Sequence, residues 1–200
     1  GHQRIGRVLV CGAPRRGPGR PAGPAGSEPG DLRGTGTAGA LVRDTQRAKV
    51  YAAEEFVRTL FDRAAQHGTG AIDFFGTALT LPPEARFGSV ESVRRYVTDV
   101  LDMPAVRERW PGAAPLEVRS RRGETAAHYE SGTIAVPDRH GTWALRELVV
   151  LHEMAHHLTA AGAPHGVEFV ATMTELAGSV MGPEARHVLR VIYSKEGVAG

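Results

Sequence analysis

Apolar residues recur every three to four positions in several segments of the chain, and this period predicts amphipathic helices. Over residues 50–65 they share one helical face, and Gly68 follows as a stop signal. The residues of that face are Val50, Ala53, Val57, Leu60 and Phe61. A second helix is predicted from about Ser89, with a buried face of Val93, Val97, Val100 and Leu101. A short helix is predicted within the proline-punctuated connection 103–115.

A period of two positions marks other segments and predicts β-strands. Residues 71–82 alternate around Gly76-Thr77, which indicates a small hairpin. Two further segments, 115–123 and 126–138, also have a β-like pattern. Within the second of them we expect Ile134 to Val136 to form an edge to which an extended substrate adds as another strand. An ordinary core hairpin strand is the alternative for this segment.

The last third of the chain predicts three helices. The first covers residues 143–162 and ends at Gly162. The other two cover 167–182 and 183–193, and Pro183 occupies a first-turn position that suits proline. Together the elements predict an α+β fold that is mostly helical, with a small β-sheet beside the helix 143–162.

The first 42 residues differ in composition from the rest of the chain. Residues 1–40 contain 11 Gly and 5 Pro and no aromatic residue. Such a segment cannot bury enough apolar area to offset the entropy of ordering its backbone. We therefore expect a disordered Gly/Pro/Arg-rich tail over 1–42 and a folded domain over 43–200.

The basic charge of the chain belongs to this tail. It carries six Arg against Glu28 and Asp31, a net charge of +4, whereas the whole chain is +2, so the folded part carries −2. Nucleic-acid binding is therefore expected only weakly, through the tail. No apolar run approaches the roughly 18 residues of a membrane span, and no signal core is present. We expect a cytoplasmic monomer without membrane contact.

The predicted helix 143–162 contains the sequence HEMAH at positions 152–156. His152 and His156 lie one turn apart on one face, so they can aim two imidazole nitrogens at one metal ion. Glu153 is rotated away from them and is placed to hold a metal-bound water and take its proton. With Cys11 as its single cysteine, the chain must hold any metal through His, Asp or Glu. The pattern predicts the zinc site of a hydrolase. A metal-free helix with surface His and Glu is the simpler alternative.

A catalytic zinc has three protein ligands and an open position. The downstream candidates for the third ligand are His165, in the turn after the helix, and Glu168 and Glu175, which share a face of the next helix. Spacing alone leaves all three open.

The order HEMAH, an eight-residue gap and HGVEF resembles the HExxH…HGxxF arrangement of SprT-like and Wss-type zincin metallopeptidases. A wider set of segments is similar to an actinobacterial family of metallohydrolases known chiefly by that motif. These segments are VYAAEEFVR, RYVTDVL, VRSRRGETAAHYE, IAVPD, WALRELVVLHEMAHHL and HGVEFVATMTEL, and the likeness spans about residues 43–198. The resemblance implies a compact zincin-like domain and a Zn²⁺ ion held by His152, His156 and His165.

A hydrolase also benefits from a hydrogen-bond donor to the oxygen that becomes negative during the reaction. Tyr129 is the favoured candidate, with His128 and Tyr193 as alternatives. His157 projects away from the ligand face and is expected to be solvated or to lie beside the site without a direct role.

These residues predict a zinc metallopeptidase with Glu153 and Tyr129 as catalytic residues and a peptide or protein as substrate. Two alternatives are open. A closed site with four protein ligands would indicate a structural or regulatory zinc module without proteolytic activity. A DNA-associated protease is the alternative that the SprT-like resemblance implies.

Overall fold

A computed structural model of the chain describes residues 43–121, 126–137, 145–159 and 162–200. All of them belong to one contact unit, Ala40–Gly200. The predicted tail 1–42 lies outside the described residues, as do the first positions of the predicted helix 143–162.

The described residues form an α+β fold with six helices and two small sheets. In chain order the elements are α1 (Arg47–Gln66), β1 (Ala71–Phe74), β2 (Thr77–Thr80), α2 (Val90–Asp102), α3 (Pro104–Arg109), β3 (Glu117–Arg121), β4 (His128–Glu130), β5 (Thr133–Pro137), α4 (Glu147–Leu158), α5 (Val167–Met181) and α6 (Pro183–Lys195). No helix within the described ranges has both the length and the apolar character that crossing a membrane requires.

The helical core forms where the apolar faces of α1, α4, α5 and α6 meet. Helix α5 packs against α4 and α6, and α6 packs against α1. All five residues predicted for the inner face of α1 are buried. In α2 the three predicted valines are buried, whereas Leu101 is half-buried. Helix α2 begins with a reciprocal capping box between Ser89 and Ser92, which satisfies two terminal backbone N–H groups.

The β1–β2 hairpin turns one residue earlier than the sequence predicts. Its turn residues are Phe75 and Gly76 instead of Gly76 and Thr77. Both have positive φ, 52° for Phe75 and 83° for Gly76. Positive φ at two successive positions is the requirement of a type I′ turn, whose twist matches that of paired strands.

The second sheet has the strand order β3-β5-β4, with β5 parallel to β3 and antiparallel to β4. The predicted edge at Ile134–Val136 is therefore wrong, because β5 is the central strand and both of its sides are paired. Its continuous apolar run Ile134, Ala135 and Val136 is buried, as is typical of a central strand. Among the described residues, the unpaired edge beside α4 belongs to β4.

A buried ion-pair network holds the start of α4. The Arg146 Nε donates to Glu84 Oε1 over 2.8 Å, and the Arg146 guanidinium also contacts Asp62 at 3.2 Å. The same Glu84 carboxylate accepts the backbone N–H of Leu148 at 3.1 Å, in the first turn of α4. A carboxylate at this position satisfies a terminal N–H group and complements the helix dipole. This network fixes the N-terminus of the helix that carries HEMAH.

Helix α4 ends at Leu158, four residues before the predicted stop at Gly162. Thr159 leaves the helix with an extended backbone, and its hydroxyl donates to the carbonyl of Ala155 over 2.7 Å. The extended backbone of Thr159, with ψ of 115°, therefore ends the helix before the glycine does.

Candidate metal centre

Helix α4 places His152, Glu153 and His156 against the core of the domain. His152 and Glu153 are 3% and 6% exposed, and His156 is half-buried. His152 packs against Tyr51 of α1 and Phe169 of α5, and His156 also contacts Phe169. Burying so many polar groups is costly unless they have partners. Polar partners are therefore expected around these three residues.

His165 reaches the same place from the connection between α4 and α5. Gly162, with φ of 104°, turns the chain back after α4, and Gly166 is the N-cap of α5. His165 is held between them and is 4% exposed. One ligand nitrogen from each of His152, His156 and His165 lies within 4.8 Å of the other two. The three imidazoles therefore form a group that can hold a metal ion.

The distance between two of these nitrogens fits a shared metal. The Nε2 atoms of His152 and His156 are 3.2 Å apart. Two nitrogens bound at about 2.0–2.1 Å to one tetrahedral zinc lie about 3.3–3.4 Å apart. A hydrogen bond between these two rings would satisfy that pair alone. It would leave His165, whose Nε2 atom is buried without a hydrogen-bond partner among the described residues.

Two carboxylates orient the imidazoles from behind. The Nδ1 atom of His152 is 2.8 Å from Glu54 Oε2, and the Nδ1 atom of His165 is 2.7 Å from Asp44 Oδ2. Each carboxylate accepts the Nδ1 hydrogen, so the Nε2 lone pair points away from it and is available to a metal. Metal-bound histidines commonly have such partners, which set the tautomer and raise ligand basicity. The residues present therefore fit a bound cation.

The Glu54 carboxylate is itself fixed inside the core. It is buried, accepts the Tyr193 hydroxyl hydrogen over 2.7 Å and lies 3.9 Å from Arg58. Although burial raises the pKa of Glu54, its contacts with His152, with Tyr193 and with Arg58 lower it below the usual value. The carboxylate is therefore held in its charged form behind His152.

The pKa values of the three imidazoles reflect burial and their neighbours. Burial, together with the nearby His152 and His165, lowers the pKa of His156 to about 3. Burial also lowers the pKa of His165, against the opposing effect of Asp44. At His152 burial acts to lower the pKa, but the effect of the Glu54 carboxylate is larger. The pKa of His152 is therefore raised above its usual value. Neutral His156 and His165 are competent ligands, and the charge of Glu54 favours a cation at His152.

The Phe169 ring packs against all three imidazoles. Its ring centroid is 4.9 Å from that of His152, 4.4 Å from that of His156 and 5.0 Å from that of His165. The ring is fully buried. This contact explains why the HGVEF segment ends in phenylalanine, because the Phe169 ring restricts how far the ligand rings can move.

Glu153 lies beside the imidazoles and faces an open cleft of about 450 Å³. Burial raises the pKa of Glu153, while His152 and a hydrogen bond from the Tyr129 backbone N–H partly offset the rise. A carboxylate with a raised pKa is a better proton acceptor near neutral pH. Two other surface cavities, of about 780 and 660 Å³, do not border the imidazoles.

The predicted oxyanion donors have other partners. The Tyr129 hydroxyl accepts the Gly132 N–H over 3.1 Å and lies 3.2 Å from His157 Nδ1. The Tyr129 ring stacks on His156 with centroids 6.3 Å apart. Its role as a catalytic residue stays a prediction, and its hydroxyl would have to leave these partners to reach a substrate. The Tyr193 hydroxyl is buried on Glu54, whereas the exposed His128 lines the cleft.

The acidic alternatives for the third ligand lie apart from the three histidines. The Glu175 carboxylate pairs with Arg109 at the contact between α5 and α3. Glu168 is exposed in the first turn of α5. Neither belongs to the group formed by His152, His156 and His165. His157, predicted to lack a direct role, bonds through its other nitrogen, Nε2, to the carbonyl of Ala114 at 2.8 Å.

Three site residues were not found from the sequence: Asp44, Tyr51 and Glu54. All lie about a hundred positions before HEMAH, at or near the start of α1. Glu54 occupies an inner position of α1 between buried Ala53 and Val57. A charged residue on an otherwise apolar face was the available signal, since burial of a charge requires a partner.

Replacing Glu54 by Gln should weaken zinc binding by about 10-fold, within the 10- to 100-fold range of such partners. The glutamine keeps the size of the side chain but removes the charge that supports a cation at His152. Competition with a chromophoric chelator measures the affinity. Glu55→Gln is the matched control, because Glu55 is the exposed neighbour on the same helix and should bind zinc as the unaltered protein does. Equal affinities in the two variants would show that Glu54 does not support the metal.

Comparison with known proteins adds no relative. No model of a protein family, no curated protein and no solved structure matches the chain. The resemblance to SprT-like zincins therefore stays a prediction. What can be concluded about function rests on the geometry of the described residues.

Proposed function

We propose that this chain is a zinc-dependent hydrolase of the compact zincin type that cleaves peptide bonds. The observation that supports the proposal most strongly is the convergence of His152, His156 and His165 beside a buried glutamate and an open cleft. Three imidazoles form the ligand set of several catalytic zinc sites, which leave one position open.

The ligand type and the geometry support zinc as the metal. Neutral imidazoles suit zinc and other first-row metals, and the 3.2 Å spacing of two Nε2 atoms fits a tetrahedral site. A zinc ion bound there supplies Lewis-acid chemistry, lowering the pKa of a coordinated water and polarising the carbonyl of the substrate.

Glu153 is the proposed proton carrier. Its carboxylate takes a proton from the attacking water as the oxygen–carbon bond forms, and the carbonyl electron pair moves onto the carbonyl oxygen. When the carbon–nitrogen bond breaks, the electron pair on oxygen re-forms the carbonyl group. Glu153 then returns its proton to the leaving amine, so that its own charge is restored. The raised pKa of Glu153 suits both transfers.

The preference for peptides is based on the free edge of the sheet. Strand β4 has β5 on one side, and its residues His128, Tyr129 and Glu130 line the cleft. An extended peptide can add to such an edge through backbone hydrogen bonds, which places its carbonyl groups along the cleft. This proposal moves the expected pairing edge from β5 to β4.

A structural zinc module is the less favoured alternative. A structural site has four protein ligands, whereas three ligand residues converge within the described ranges. Glu168 and Glu175, which could have closed the site, lie apart from it.

The test is the appearance of new peptide termini, detected by mass spectrometry, when the zinc-loaded protein is incubated with a mixture of unstructured peptides. Cleavage should stop when a chelator removes the metal and return when zinc is added. Zinc-loaded protein that cleaves no peptide under any of these conditions would contradict the peptidase assignment.

A further inference from the structure

Tyr51 lies in the wall of the cleft, next to two of the three imidazoles. Its ring centroid is 5.4 Å from that of His152 and 5.3 Å from that of His165. The residue is 39% exposed, so one side of the phenol faces solvent in the cleft. Glu153 lines the same cleft. The phenol therefore borders both the ligand group and the cleft that a substrate would occupy.

Helix α1 fixes the position of this ring. Tyr51 is in the second turn of α1, between the buried residues Val50 and Ala53. One turn earlier, the Arg47 guanidinium lies over the Tyr51 ring at 5.5 Å from its centroid. A cation over an aromatic face attracts the ring and limits its rotation. The Tyr51 side chain is consequently held at the cleft by a helix, which positions a group more rigidly than a loop does.

The other two tyrosine hydroxyls near the site are occupied. Tyr129 has Gly132 and His157 as partners, and Tyr193 donates to Glu54. The Tyr51 hydroxyl has no carboxylate or backbone partner within the described ranges, and its charged neighbour Arg47 can only donate to it. A phenol keeps its proton near neutral pH and can donate it in a hydrogen bond.

We propose that Tyr51 is a further catalytic residue, whose hydroxyl donates a hydrogen bond to the oxygen that becomes negative when water adds to the scissile carbonyl. This inference rests on the proposed hydrolase function. The proton stays on Tyr51 throughout, so the hydrogen bond forms as the carbonyl π electrons move to oxygen and weakens when the carbon–nitrogen bond breaks. Donors aimed at such an oxygen stabilise the transition state more than the substrate.

The direct test is the binding of acetohydroxamate, a small anionic metal ligand, to the cobalt-substituted protein. Cobalt can replace zinc on imidazole ligands, and its visible spectrum reports ligand binding. Tyr51→Phe should bind acetohydroxamate about tenfold more weakly than the unaltered protein, because a hydrogen bond to a charged oxygen is lost. The Tyr51→Phe protein should take up as much metal as the unaltered protein. Tyr96→Phe is the matched control and should bind the probe with unchanged affinity, because Tyr96 lies outside the cleft and donates to Glu147. Tyr129→Phe tests the other candidate donor.

The outcomes separate this inference from the function on which it rests. Equal acetohydroxamate affinity in Tyr51→Phe and the unaltered protein overturns the role of Tyr51, as does a loss in Tyr129→Phe instead. Failure of the metal-loaded protein to bind acetohydroxamate also overturns it, since the donor needs an open position beside it. If Tyr51→Phe binds the probe more weakly but the unaltered protein cleaves no peptide, the result supports Tyr51 as a hydrogen-bond donor. It then contradicts the assignment of the protein as a peptidase. With cleavage established, Tyr51→Phe should lower kcat about 10²-fold with little change in KM.

Discussion

Replacing Glu153 by Gln should lower the rate of peptide cleavage by about 10²- to 10⁴-fold, while zinc stays bound. The glutamine has the size of glutamate, and its amide oxygen can still accept the Tyr129 N–H. It cannot take a proton from water or return one to the leaving amine. The three imidazoles and the carboxylates behind His152 and His165 are unchanged, so the metal is retained. Peptide cleavage and zinc content are measured on the same preparation.

Glu168→Gln is the matched control for this variant. Glu168 is an exposed glutamate at the start of α5, close to His165 in the chain but outside the ligand group. Its replacement should leave both cleavage and zinc content unchanged. Full activity in Glu153→Gln would contradict the assigned mechanism. Loss of zinc in that variant would instead identify Glu153 as a metal ligand.

Replacing Arg146 by Ala should lower the free energy of unfolding by about 3–5 kcal/mol. Arg146 is 4% exposed, and its main partner Glu84 has a side chain that is 4% exposed. Removing the guanidinium leaves the Glu84 charge buried without its principal counter-charge. The Leu148 N–H and the exposed Arg86 guanidinium, 3.3 Å from Glu84, remain, but they do not replace the buried ion pair. Urea denaturation followed by circular dichroism measures the change.

Glu175→Ala provides the comparison for this prediction. It removes an ion pair with Arg109, in which the side chains are 40% and 53% exposed. Exposed pairs contribute about 0–1 kcal/mol, since water screens them. Similar small losses in both variants would contradict the structural role of the network at the start of α4. A larger loss in Arg146→Ala supports it.

The helices could be predicted from the sequence because their signals are local. The inner face of α1, the cap at Ser89 and the position of Pro183 each depend on residues within one or two turns. The histidines of HEMAH lie within one turn, so their common face also follows from spacing. His165 required the additional resemblance to HGxxF sequences, because a loop determines its position.

The pairing of strands and the partners of the histidines could not be predicted in this way. Strand β3 pairs in parallel with β5 and not with β4, the next strand in the chain, and no local pattern specifies that order. Glu54 meets His152 across 98 positions, and Asp44 meets His165 across 121. Tertiary packing determines such contacts, so a sequence indicates a buried charge without indicating what it binds.

The central claim is that His152, His156 and His165 form one metal site, and zinc content tests it most directly. Plasma mass spectrometry of the untagged protein should give about one zinc per chain, and His165→Ala should contain far less. Glu175→Ala should contain as much as the unaltered protein. Full zinc in His165→Ala, or no zinc in the unaltered protein after zinc is offered, would contradict the claim.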